Sequence, residues 1–287
     1  MIEFLVFPVI VLLCVLGSSF LSFKWGFKAL FVQAPLVIAA FVAGYFIENT
    51  LFFAIPIFLG SFAGYALKAG KSLQFFVLIS AFITSLLYTG NFYYLKEVKN
   101  IDVTLTAKQL MIEVINNSDL TGEKKAEMSA SLNQAMEITN KIIPFGTFIY
   151  SLFFSFLTFF VIKVFLSKQK DLSKIQGMEL FKVHDYIIFV LIAGIAVTLY
   201  FAEHPVVFII GLNVVLIATT LYFLQAIGII GFFLTKKGLP LYIIPIFMVL
   251  LLFTGIGVMI FITIMLAGFG ALDLWANFRK IGDTQPK

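Results

Sequence analysis

Apolar residues recur along this chain in runs too long and too uniform for the one-sided pattern of a soluble helix. A helix that crosses a bilayer needs about 20 mostly apolar residues, because its backbone groups find no water and must bond within their own segment. Runs of that kind occupy residues 2–23, 29–47, 51–67, 73–95, 142–166, 186–202 and 206–235, and a longer one covers 239–278. The pattern predicts an all-α fold, a polytopic transmembrane helix bundle of eight or nine spans. The count turns on the last run, whose 40 residues as one helix would measure about 60 Å, twice the hydrocarbon thickness. Two short crossings hinged near Thr254, Gly255 and Gly257 give nine spans; one crossing followed by an interfacial helix carrying Asp273, Trp275 and Asn277 gives eight. The first run has Glu3 as its only early charge and lacks the basic start and small-residue cleavage site of a signal peptide, so it is expected to remain as a span.

One stretch breaks the pattern. Residues 96–141 carry six lysines against seven acids (Glu97, Asp102, Glu113, Asp119, Glu123, Glu127 and Glu137) and are too polar to enter hydrocarbon. Thr106 and Gln109 have capping-box spacing before Leu110, Met111, Val114 and Ile115, which predicts an amphipathic helix. A second helix is expected from near Thr121 to near Pro144, burying Met128, Leu132 and Ala135. Together they form a helical hairpin, read as a cover over one face of the bundle or as a docking site or gate. The chain thus divides into a four-span half (1–95), this insert (96–141), a second membrane half (142–280) and a short tail (281–287).

Lysine placement gives orientation, since short cytoplasmic loops collect Lys and Arg. Lys24 and Lys28 follow the first span, Lys68 and Lys71 the third, Lys163, Lys168, Lys170, Lys174 and Lys182 surround the end of the fifth, and Lys236 and Lys237 follow the seventh. The alternate connections carry Glu48, and Glu203 with His204. This places the N-terminus and residues 96–141 outside a bacterial cytoplasmic (inner) membrane, with a cytoplasmic C-terminus in the nine-span arrangement.

Composition narrows the function classes further. Of 287 residues, 61% are hydrophobic and 12% charged, against about 45–50% and 25% in soluble domains, so a water-soluble enzyme or a disordered chain is ruled out. The net charge of +5 sits in membrane-flanking clusters and is no nucleic-acid signature, and Cys14, the single cysteine, permits no internal disulfide. His184 and His204 are expected on opposite membrane faces, about 30 Å apart, too far to share a metal or a proton, and Gly70-Lys71-Ser72 lacks the glycine spacing and strand context of a phosphate loop. No catalytic constellation and no cofactor are expected.

Polar residues inside spans are costly in lipid and face the bundle interior. Gln33, Asn91, Asn213, Thr219, Thr220 and Gln225 are the candidates, and Asn91, Asn213, Thr220 and Gln225 are those expected to line a solute cavity. Asn213 and Thr220, seven apart, share a helix face. The alternative for all of them is hydrogen bonding between helices. Gly60 and Gly64 form a GxxxG pair expected to bring helices close, as do the small pairs Ala40/Gly44 and Ala267/Ala271. Pro35, Pro56 and Pro245 predict kinks.

At the C-terminus, Phe223-Leu224-Gln225-Ala226-Ile227-Gly228 leads through a basic turn to Gly268-Phe269-Gly270-Ala271-Leu272-Asp273-Leu274-Trp275-Ala276-Asn277-Phe278-Arg279-Lys280. With Lys24-Trp25-Gly26-Phe27-Lys28 near the start and Ile143-Pro144 before a long span, this resembles the YybS-like family of bacterial multi-pass membrane proteins. The resemblance implies a distant similarity to the substrate-binding membrane subunits of energy-coupling-factor transporters and to membrane proteins of the cell-shape machinery. The first implies a transport-type subunit that binds a small-molecule solute; the second a scaffold or assembly factor that binds other membrane-protein subunits. Asp273, Arg279 and Lys280 would suit partner docking in either case.

Overall fold

The structure, a computed structural model, describes residues 2–26, 28–29, 31–33, 35, 51–166 and 177–279. Among them are α1 (Ile2–Trp25), α2 (Leu51–Lys68), α3 (Leu73–Glu97), α4 (Val103–Asn116), α5 (Gly122–Lys141), α6 (Ile143–Leu166), α7 (Ile187–Tyr200), α8 (Pro205–Lys236), α9 (Ile243–Leu252) and α10 (Ile256–Ala276), and no strand. Four stretches are long and apolar enough to cross a membrane: Leu73–Glu97, Ile143–Phe165, Pro205–Lys236 and Gly257–Ala276; Leu13–Trp25, Ile55–Lys68 and Ile187–Tyr200 are shorter apolar helices. The expected all-α fold with several membrane-span candidates is therefore present among the described residues. Most of the expected span 29–47, with Ala40 and Gly44, lies outside the described residues, as do Lys280 and the tail.

Contacts group the chain into two units: Met1–Ala81 with Leu152–Ile188 and Ala218–Lys287, and Phe82–Ser151 with Phe189–Ile217. In the first, α1 packs on α2 through the expected glycines. A Cβ at Gly60 would collide with the Val15 carbonyl and the Ser18 hydroxyl, and one at Gly64 with the Ser19 carbonyl. Only glycine lets the backbones come that close. Gln33 is buried against the same helix, accepting from the Ser22 hydroxyl at 3.0 Å and donating to the Ser18 carbonyl at 3.1 Å. Aromatic rings fill the interior beside it: Phe62 lies 5.5 Å from Phe76, and Phe76 5.5 Å from Phe159.

The last apolar run breaks where the glycines stand. α9 stops at Leu252 and α10 starts at Ile256, with Gly255 at φ +86° and ψ 154° between them, a conformation essentially closed to any residue with a Cβ. At ten residues, α9 measures about 15 Å, half the hydrocarbon thickness.

In the second unit, residues 96–141 fold into two helices that pack together, with two corrections to the expected detail. The first starts at Val103, capped by Asp102, whose carboxylate accepts from the Leu105 N–H at 3.0 Å. Thr106 is inside the first turn, and its hydroxyl donates to the Asp102 carbonyl. The second helix ends at Lys141 and buries none of its residues; Met128 and Ala135 are exposed and Leu132 is half-buried. Two helices offer each other one face, and no third layer covers it among the described residues. Leu110, Met111, Val114, Ile115, Met128 and Leu132 line an open apolar groove of about 400 Å³ between them.

Candidate functional site

Among the described residues, two polar clusters draw on side chains of α8, one in each unit. In the second unit, Asn213 stitches the joint where α5 gives way to α6. Its Oδ1 accepts from the Phe145 N–H at 2.8 Å, and its Nδ2 donates to the carbonyls of Lys141 and Ile209, both at 2.8 Å. Phe145 N–H belongs to the opening turn of α6 and Lys141 C=O to the closing turn of α5, positions that have no partner within their own helices. Pro144 has no N–H, so a single amide suffices to bridge the break. Beside it, the Thr147 hydroxyl pairs with those of Ser85 (3.1 Å) and Thr89 (2.7 Å) on α3.

In the first unit, the strap at 177–183, a 3-10 turn at Met178–Leu180 followed by irregular backbone, crosses α8 and is bonded by side chains from three other places in the chain. The Gln74 amide, on α3, bonds both the N–H and the carbonyl of Lys182. Gln225 Oε1, on α8, accepts from the Val183 N–H at 2.7 Å. Arg279, just past α10, donates through one guanidinium nitrogen to the carbonyls of Glu179 (3.1 Å) and Phe181 (2.8 Å). Its other terminal nitrogen meets Asp273 Oδ2 at 2.8 Å, which also accepts from Gln225 Nε2 at 3.1 Å. The second carboxylate oxygen takes the Phe278 N–H at 2.8 Å. The Asp273–Arg279 side chains are 2% and 1% exposed, so this is a buried ion pair, and removing one partner of such a pair costs about 3–5 kcal/mol. Two glycines make room: a Cβ at Gly228 would press within 2.7 Å of the Met178 carbonyl of the strap, and one at Gly270 would strike the Tyr222 carbonyl where α10 crosses α8.

The residues singled out in the sequence are thus redistributed. Gln225, expected to face a solute, and Asp273 with Arg279, expected to face a partner, form one cluster with each other and the strap. Asn213 belongs to the other cluster. Asn91 is half-buried on α3, and Thr220 is half-buried on α8 and has a partner of its own. Gln74 was missed: one glutamine just inside a span carries no periodic signal. His184 and His204 are both exposed, and no group of three metal-binding side chains occurs among the described residues.

Long apolar helices, polar side chains turned to their own backbone and exposed Leu, Phe and Val around them define a multi-pass helical membrane protein. The chain belongs to the family described as "Predicted membrane protein (DUF2232)", whose model matches residues 1–274, in keeping with the membrane family its motifs resemble. No curated protein and no solved structure matches it.

Proposed function

We propose that this protein is a non-enzymatic scaffold of the bacterial cytoplasmic membrane that binds other membrane proteins. One observation carries the reading. Of the four residues expected to line a solute cavity, Asn213 and Gln225 have their donors and acceptors engaged by the protein's own chain, while apolar side chains outside the long spans stand free. Val114 is 71% exposed and Leu110 59%, on helices too polar to lie in lipid. The position of that surface favours a membrane-anchored partner. Five residues separate the end of α3 from the start of α4, which is pinned there by the Lys96–Asp102 ion pair (3.4 Å) and by the Ile101 N–H on the Leu95 carbonyl. A chain covering it works next to the bilayer.

Gentle extraction of the full chain is expected to retain a stoichiometric membrane protein, which Val114→Glu releases while the melting temperature of the chain itself stays unchanged. The transport-type reading makes the opposite forecast. A vitamin, nucleobase or metal that raises the melting temperature, with the shift lost in Asn213→Ala, would put solute binding in place of the scaffold.

A further inference from the structure

The strap at 177–183 has a single 3-10 turn of its own, Met178–Leu180, in which the Leu180 and Phe181 N–H groups donate to the Gly177 and Met178 carbonyls. Five of its polar groups, the carbonyls of Glu179, Phe181 and Lys182 and the N–H groups of Lys182 and Val183, are bonded by side chains. Phe181 and Val183 are buried, so water does not substitute for the partners of their own backbone groups. Two of the five bonds come from Arg279, which lies 98 and 100 residues further along the chain. Gln74 and Gln225 are both neutral amides on helices formed independently of the strap. Arg279 differs: it stands outside α10, one residue beyond the residue that follows the Asn277 cap (φ +42°), and it is held in place by Asp273. Its Nε has no hydrogen-bond partner among the described residues, so the guanidinium is fixed through its two terminal nitrogens alone.

We infer that Asp273 and Arg279 form a latch: the turn after the last helix folds back and locks the strap, and opening that turn frees the strap while the helices of the bundle remain assembled. The chemistry requires both halves. Without Asp273, Arg279 would be a buried cation with no counter-ion, and without Arg279 the buried Phe181 carbonyl would lose its side-chain donor, as would the half-buried Glu179 carbonyl. Gln74 and Gln225 grip only residues 182 and 183, and the 3-10 turn uses the Gly177 and Met178 carbonyls, so the carbonyls of Glu179 and Phe181 depend on the latch. The device also fixes an order of events. The Glu179 and Phe181 carbonyls gain their side-chain donor only when the chain about a hundred residues downstream has docked, and whatever moves the turn after α10 moves the strap. This inference is independent of the scaffold reading.

The test uses the full chain in detergent, with Cys14→Ser as background and one reporter cysteine at a time: Val183→Cys in the strap, or Val77→Cys, fully buried on α3, as a report on the bundle. Both should react slowly with a water-soluble maleimide. Arg279→Gln and Asp273→Asn are each expected to raise the rate at position 183 at least tenfold and leave position 77 protected. Arg279→Lys, which keeps the charge but cannot reach two carbonyls and a carboxylate at once, should give an intermediate rate, and it serves alone if the glutamine variant does not accumulate. Unchanged reactivity at position 183 would overturn the latch. So would a parallel rise at both positions, because Arg279 would then hold the whole bundle and not the strap.

Discussion

Gln225 shows what a single residue reveals and conceals. A glutamine in the middle of a 32-residue apolar helix announces that something polar faces it, because an unpartnered amide in a dry interior costs about 1–3 kcal/mol. It does not announce what. Here the partners are a strap N–H and a carboxylate 42 and 48 residues away, and no local spacing encodes either. The same holds for Asn213, which was legible as a polar in-span residue but not as the bridge between two helix ends. Its role yields a contrast with Asn91. Asn213→Leu should lower stability by about 1–3 kcal/mol, since it strands the Phe145 N–H and the Lys141 carbonyl, whereas Asn91→Ala, at a half-buried site, should stay within about 0.5 kcal/mol. Thermal unfolding of the two variants in one detergent decides it; equal losses would remove the bridging role.

Helices were the most legible level. Apolar runs located α1, α2, α3, α6, α7 and α8 to within a few residues at each end, and the start of α4, displaced from Thr106 to Val103, follows from capping chemistry. Asp102 outcompetes Thr106 as the cap because its carboxylate also takes the Thr104 hydroxyl, at 2.6 Å, as well as the Leu105 N–H. Those two bonds, the hydroxyl foremost, hold the Asp102 carboxyl down at about 2. A carboxylate held below its ordinary value, about 3.9, stabilises the fold at every pH above that value and loses the contribution as pH falls toward 2. Asp102→Ala should therefore cost about 1 kcal/mol at neutral pH. The gap between wild type and variant should close between about pH 4 and pH 2, as followed by melting of α4 and α5. A gap that persists unchanged at pH 2 would mean that the charge is not what caps the helix. The break before α10 gives a second forecast at this scale. Gly255→Ala places a Cβ on a backbone at φ +86°, and a loss of about 1–3 kcal/mol is expected; a neutral substitution would mean that the turn relaxes to a different path. The packing of α4 against α5 was less legible, because the period of apolar residues shows that a face exists but not whether a third layer covers it.

For the molecule as a whole, lysine distribution predicts the outside location of residues 96–141, and chemical labelling checks it. A cysteine at Asn117, exposed between α4 and α5, should react with an impermeant thiol reagent in intact cells, and labelling only after lysis would invert the topology. The same reagent at Lys287 separates eight spans from nine. The sequence alone determined that lipid is the solvent for this chain and that helices are its elements, because a backbone in hydrocarbon must satisfy its hydrogen bonds within each segment and the information for doing so is local. Only the tertiary structure decided which polar side chain answers which stranded backbone group. Those pairings, Gln74 with Lys182, Asn213 with Phe145 and Arg279 with Phe181, join residues 68 to 108 positions apart. Bonds of that reach are set by how the helices come together in space, and the order of residues along the chain carries no trace of them.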